Sequence, residues 1–155
     1  MRTGILSILI ALMATFGLAA DAPTSQPAAV ILPAADAQLQ GAVMKLKYAK
    51  QVEITYWTDP KATAEWSVKV PQPGKYEIAL IMASENEQGG KFVVSVAGQD
   101  LSAKTHPTGG WHHYMTLPIG SATFKETTAT LKITPSGPIR GSLMNLRAVR
   151  LTPIP

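Results

Sequence analysis

Short runs in which every second residue is apolar, separated by Pro and Gly, constrain this chain more than any other feature. Trp66, Val68 and Val70 alternate with Glu65, Ser67 and Lys69, and Tyr76, Ile78, Leu80 and Met82 alternate with Lys75, Glu77 and Ala79. A period of two places each apolar set on one face of a strand, whereas a helix would scatter it around the circumference. Between the runs stands Pro71-Gln72-Pro73-Gly74. Pro fixes a turn φ and Gly accepts a positive one, so a hairpin joining the two strands is expected. Phe92, Val94 and Val96 mark a further strand ending at Gly98-Gln99, a pair suited to a tight reversal because Gly comes first. Leu131 and Ile133 mark another, closed by Pro135-Ser136-Gly137-Pro138. In Leu143 to Leu151 apolar residues fall on both parities, at Met144, Leu146, Val149 and Leu151, which calls for a bulge or for burial on both faces.

Weaker candidates at Val30 to Leu32, Val43 to Lys47, Val52 to Thr55 and Tyr114 to Ile119 bring the expected count to about eight or nine strands. No convincing helix and no internal repeat interrupts them. At 155 residues the chain fits one all-β domain, a sandwich or a barrel.

Residues 1 to 20 carry a single charge, Arg2, and then an apolar run from Ile5 to Phe16 closed by Gly17, Ala19 and Ala20. This pattern is expected to be a secretory signal, cleaved after Ala19 or Ala20, because the run falls short of the roughly 20 residues that span a bilayer. Residues 21 to 29, rich in Ala and Pro, are expected to form a flexible leader, and domain sequence runs from Val30 to Pro155. The expected location is secreted, periplasmic or in the cell envelope, with no membrane contact after cleavage. There is no Cys, so the fold must rest on core packing without disulfides, and a thiol nucleophile is excluded. Loss of Arg2 leaves 13 Lys and Arg against 10 Asp and Glu, a net of +3. These are scattered without a polybasic run, so no nucleic-acid partner is expected.

Catalytic signatures are weak. No Gly-x-Ser-x-Gly occurs and no helix is available to follow such a turn, which argues against a serine hydrolase. His112 and His113 are adjacent and point to opposite faces of a strand, so they cannot converge on one ion, and His106 could join either only through the fold. Glu85, Asn86 and Glu87 bunch before Gly89-Gly90 without the spacing of a calcium loop, and a solvated turn is the favoured reading. The aromatics say more. Trp66 lies in clean alternation and belongs to the core. Trp57 runs into the segment Thr58-Asp59-Pro60 and Trp111 follows Thr108-Gly109-Gly110, so both fall in or beside loops. A loop aromatic either packs on the core or meets a ligand, and a sugar ring, with an apolar C–H face and a hydroxyl rim, suits aromatic plates beside an amide such as Asn145. Residue types alone leave the core reading of each Trp slightly ahead.

The order of motifs resembles carbohydrate-binding modules of families six and thirty-five. It runs through Asp36-Ala37-Gln38-Leu39-Gln40-Gly41, Trp57, Ala64-Glu65-Trp66-Ser67-Val68-Lys69-Val70-Pro71, Pro73-Gly74-Lys75-Tyr76, Gly89-Gly90, Phe92-Val93-Val94-Ser95-Val96, Thr108-Gly109-Gly110-Trp111 and Asn145-Leu146-Arg147-Ala148-Val149-Arg150-Leu151. The likeness covers about residues 30 to 152 and is nearest to domains appended to secreted sulfatases and α-L-fucosidases. It implies a galactose-binding-like jelly-roll sandwich. It also implies a sugar site in the end loops, with Trp57 and Trp111 flanking the ring and Asn145 bonding its hydroxyls. Aligned on Asp36-Ala37, Pro33 and Ala35 stand where the family carries acidic calcium ligands, so no cofactor is expected and a structural calcium is left as the disfavoured alternative. The family's small Gly-containing turn is replaced by Asp59-Pro60-Lys61, and Lys61 with His106 would favour an acidic or sulfated glycan.

The resulting expectation is a secreted, non-catalytic module that binds a poly- or oligosaccharide, alone or beside a separate glycan-degrading enzyme. Its rivals are a cell-envelope structural or protein-interaction sandwich, in which the loop aromatics cap the core, and a glycan-active enzyme, which would need two converging carboxylates in a groove.

Overall fold

A computed structural model describes residues 27–155, so the expected signal segment and residues 21 to 26 of the leader lie outside the described residues. Eleven strands follow in order: β1 (Val30–Pro33), β2 (Gln38–Gln40), β3 (Met44–Tyr48), β4 (Gln51–Thr55), β5 (Thr63–Lys69), β6 (Gly74–Ser84), β7 (Lys91–Val96), β8 (Gln99–Lys104), β9 (Gly110–Phe124), β10 (Thr128–Pro135) and β11 (Asn145–Pro153). They form two antiparallel sheets. One is ordered β3-β4-β11-β6-β9, with β1 also paired to β11, and the other is ordered β2-β5-β10-β7-β8. The sandwich is as expected, with eleven strands in place of eight or nine. The two extra strands carry little alternation: β2 has Leu39 alone, and β8 offers only Leu101 and Ala103, both half-buried.

The core lies between the sheets. Tyr76, Ile78, Leu80 and Met82 of β6 and Val149 and Leu151 of β11 face Trp66 and Val68 of β5, Phe92, Val94 and Val96 of β7, and Leu131 and Ile133 of β10. All are buried, and the indole N–H of Trp66 donates to the carbonyl of Pro33 at 2.9 Å.

One expectation fails. β5 and β6 are not a hairpin, because β5 pairs with β2 and β10 while β6 pairs with β11 and β9. Pro71 to Gly74 carries the chain across the edge of the core from one sheet to the other. Strands in facing sheets each bury one face, so they alternate just as hairpin strands do. The two Pro residues, lacking N–H groups, suit an unladdered crossing. The Tyr76 hydroxyl fastens it by donating to the Gln72 carbonyl at 2.8 Å. A tight hairpin does join β7 to β8, where Val96 faces Gln99 and the turn residues are Ala97 (φ 50°) and Gly98 (φ 72°). Positive φ at both central positions matches the twist of the flanking strands, and the turn sits one residue earlier than Gly98-Gln99.

In β11 both expected explanations hold. The strand lies inside its sheet between β6 and the pair β1 and β4, and its ladder with β6 shifts register between Leu146 and Ala148. Arg147 thereby remains on the outer face, beside β4.

Candidate ligand-binding groove

The β3–β4 hairpin supplies one wall of a groove on the outer face of the six-stranded sheet. Ile54 is fully buried, so its neighbours Glu53 and Thr55 point away from the core. Directly opposed residues of an antiparallel pair share a face, so Met44 beside Thr55, Leu46 beside Glu53 and Tyr48 beside Gln51 point the same way. The facing wall is the start of β9, with Trp111 and His112. Leu46, Lys47, Tyr48, Glu53, Thr55, Tyr56, Trp111, His112, Ser142 and Asn145 enclose about 400 Å³, within the size range of small-ligand sites.

Asn145 ties three elements together at one end. Its amide nitrogen donates to the Trp111 carbonyl at 2.9 Å, and its amide oxygen accepts from the Thr55 hydroxyl at 2.7 Å. These two bonds leave one amide hydrogen and one lone pair, with the Tyr114 hydroxyl as a further polar neighbour. Across the groove the Tyr48 ring lies parallel to His112, with centroids 3.8 Å apart and planes at 9°.

The floor is charged but compensated. Glu53 is 2% exposed, and its Oε1 accepts from Nε and Nη2 of Arg147 at 3.0 and 2.9 Å. The Arg147 guanidinium lies 3.5 Å from the Tyr114 ring centroid, a cation–π contact that holds it against the ring beside Glu53. Burial first, and then the neighbouring Glu53 carboxylate, push the Tyr114 phenol well above its ordinary value, so it stays a neutral donor. Glu53 and Asn145 are the hydrogen-bonding neighbours of the buried Tyr114 hydroxyl, and Ser142 Oγ is buried without a partner among the described residues.

Of the residues singled out by sequence, Trp111 and Asn145 meet in the groove. Trp57 does not: it is 0% exposed, and its indole N–H donates to the Ala62 carbonyl at 3.1 Å. The reason is local. Tyr56 takes a positive φ of 53°, which turns the next side chain inward beside the small buried Ala62 and Ala64, and a turn closes the segment through the Asp59 carbonyl and the Ala62 N–H. The exposed aromatic of this loop is therefore Tyr56, at 59% exposure and in the groove lining. Lys61 and His106 are exposed but are not part of the lining. The sequence reading missed Tyr48, Tyr56, Glu53 and the stacking of His112. Only Tyr56, adjacent to Trp57, had a legible signal. Among the described residues, no group of three His, Asp or Glu is placed to hold a metal ion.

The architecture is that of a jelly-roll β-sandwich with an aromatic groove across one sheet. Solved structures with this fold include a family 35 carbohydrate-binding module from Clostridium thermocellum, 18% identical, with a TM-score of 0.70 over 82% of this chain and 99% of that one. A carbohydrate-binding module of Cellvibrio mixtus lichenase 5A, in complex with cellotriose, is 18% identical with a TM-score of 0.65, over 81% and 98% of the two chains. An exo-β-1,3-galactanase from Phanerochaete chrysosporium, in complex with β-1,3-galactotriose, gives 16% identity and a TM-score of 0.65; the likeness covers 79% of this chain and 29% of that protein. No family model matches the chain, and no curated protein matches it significantly.

Proposed function

We propose that this chain is a non-catalytic glycan-binding module whose groove holds a sugar ring between Trp111 and Tyr56, with the free amide positions of Asn145 bonding the ring hydroxyls. The observation that carries the reading is the convergence of Trp111, Tyr56, Tyr48 and Asn145 on one groove from four separate parts of the chain. An aromatic face stacks on the C–H face of a sugar, while a pre-oriented amide discriminates among hydroxyl positions. The shared fold of carbohydrate-binding modules supports this use of the groove. The leader pattern supports export, and the resemblance to domains appended to sulfatases and fucosidases supports a separate glycan-degrading enzyme as a partner.

Intrinsic Trp fluorescence tests the reading. Trp57 and Trp66 are buried and their indole N–H groups are bonded within the protein, so a ligand-linked change reports Trp111. Titration with neutral, uronate and sulfated oligosaccharides should give a saturable change for at least one class. That change should vanish in a folded Trp111→Ala variant. Flat traces from folded protein across the whole panel would instead favour a protein-contact role for the groove.

A further inference from the structure

We propose that Glu53 is itself a ligand-binding residue, taking adjacent hydroxyls of an uncharged sugar unit on the carboxylate edge that Arg147 leaves open; this rests on the glycan reading above.

The two Arg147 donors both go to Oε1. Oε2 takes neither of these donors; His112 Nδ1 stands 4.0 Å away, beyond bonding reach, and the Tyr114 hydroxyl is the protein's own donor beside the carboxylate. A carboxylate oxygen in a residue only 2% exposed, facing a groove, calls for donors. The neighbouring polar groups point to the same chemistry. The Tyr114 hydroxyl is a neutral donor directed at Glu53, and the lining residues Ser142 and Asn145 add a hydroxyl and an amide. A pair of sugar hydroxyls both donates and accepts, so it meets the Glu53 carboxylate and the Asn145 amide of the lining together. A carboxylate or sulfate group only accepts, and it would meet the open Oε2 as a like charge.

Positive groups do not reverse this preference at the floor. Lys47 is exposed and sits at the rim, while Arg147 directs two N–H groups to Glu53 and turns its face to Tyr114. The deepest subsite is therefore one for a neutral donor-bearing unit. Lys61 and His106, which suggested an acidic glycan in the sequence, stand away from it.

The test compares the protein with its Glu53→Gln variant against neutral trisaccharides of glucan, galactan, mannan and xylan, and against trigalacturonate, read by Trp fluorescence and calorimetry. Gln keeps the shape and offers its amide oxygen to Arg147, but it presents a donor to the groove in place of an acceptor. The expected result is a neutral trisaccharide bound more tightly than trigalacturonate. The folded Glu53→Gln variant should then lose about ten- to a hundredfold of that affinity, the range for a hydrogen bond to a charged group. If Glu53→Gln does not fold, Glu53→Asp keeps the charge beside Arg147 and withdraws it from the groove, and the same loss is expected. A folded variant of either kind that binds like the parent overturns the role of Glu53, as does a parent that prefers trigalacturonate, and both leave glycan binding standing. Absence of binding across the whole panel overturns both readings.

Discussion

The outer faces of the two sheets have diverged. On the five-stranded sheet, Ser67, Lys69, Asp100, Ser102 and Lys104 project into solvent opposite an inner set that is buried in β5, β7 and β10 and half-buried in β8, the plain alternation of a sheet wet on one side. On the six-stranded sheet, outward residues such as Glu53, Ala79, Ala83, Asn145 and Ala148 are buried, and Arg147 lies over Tyr114. Small side chains in the middle of that face leave room, and larger ones from β3, β9 and the loop after β4 rise around one end. Polar groups on an outer face are ordinarily left to water. Here they are held in fixed geometry by one another.

The sharpest way to break the comparison begins with the buried indole in the loop after β4. Trp57 belongs with the core although it lies in a loop, so Trp57→Ala should destabilise the fold by about 3–5 kcal/mol, as expected for a large buried aromatic. Denaturant unfolding measures it, with Trp66→Ala as the reference. A Trp57→Ala protein of near-parental stability that no longer bound sugar would return this ring to the ligand site.

Next in size is the floor. Arg147→Met leaves Glu53 buried without its cation, and a loss of about 3 kcal/mol is expected, the low end for a broken buried pair because the Arg147 side chain keeps 28% of its surface in water. The double variant Glu53→Gln with Arg147→Met should recover part of that loss in thermal unfolding, since no orphaned charge remains. Equal stability of Arg147→Met and the parent would mean that the outer face is not organised around this pair.

Much of the fold was legible because burial on one face imprints a period of two, and β5, β6, β7 and β10 carry it cleanly. Which strands pair was not legible. Trp66 to Val70 and Tyr76 to Met82 read as a hairpin, and only the third dimension shows that Pro71 to Gly74 crosses between sheets. The site was half legible. Trp111 and Asn145 stand out by residue type beside a turn or a strand end, but the choice between Tyr56 and Trp57 hung on a single positive φ, which no spacing rule reports. Glu53 was invisible because Val52-Glu53-Ile54 reads as an ordinary half-buried strand with its charge in water. Its partner Arg147 is 94 residues away in the chain.

The smallest expected effect sharpens the comparison from the other side. Ser67 is exposed on the five-stranded sheet, directly opposite Thr130 in the ladder, and no side-chain hydrogen bond among the described residues involves it. Ser67→Ala removes one solvated hydroxyl from a strand whose position is set by Trp66 and Val68 on the other face. Its effect on stability should stay within about 0.5 kcal/mol, and sugar affinity should not move. Glu53, also a polar residue on an outward strand position, should lose affinity when changed only from acid to amide. If Ser67→Ala weakened binding comparably, without a loss of stability, the division between a structural sheet and a binding sheet would fail, because the ligand would then be sensed on the face away from the groove. A silent Ser67→Ala beside a deficient Glu53→Gln locates recognition on the outer face of the six-stranded sheet.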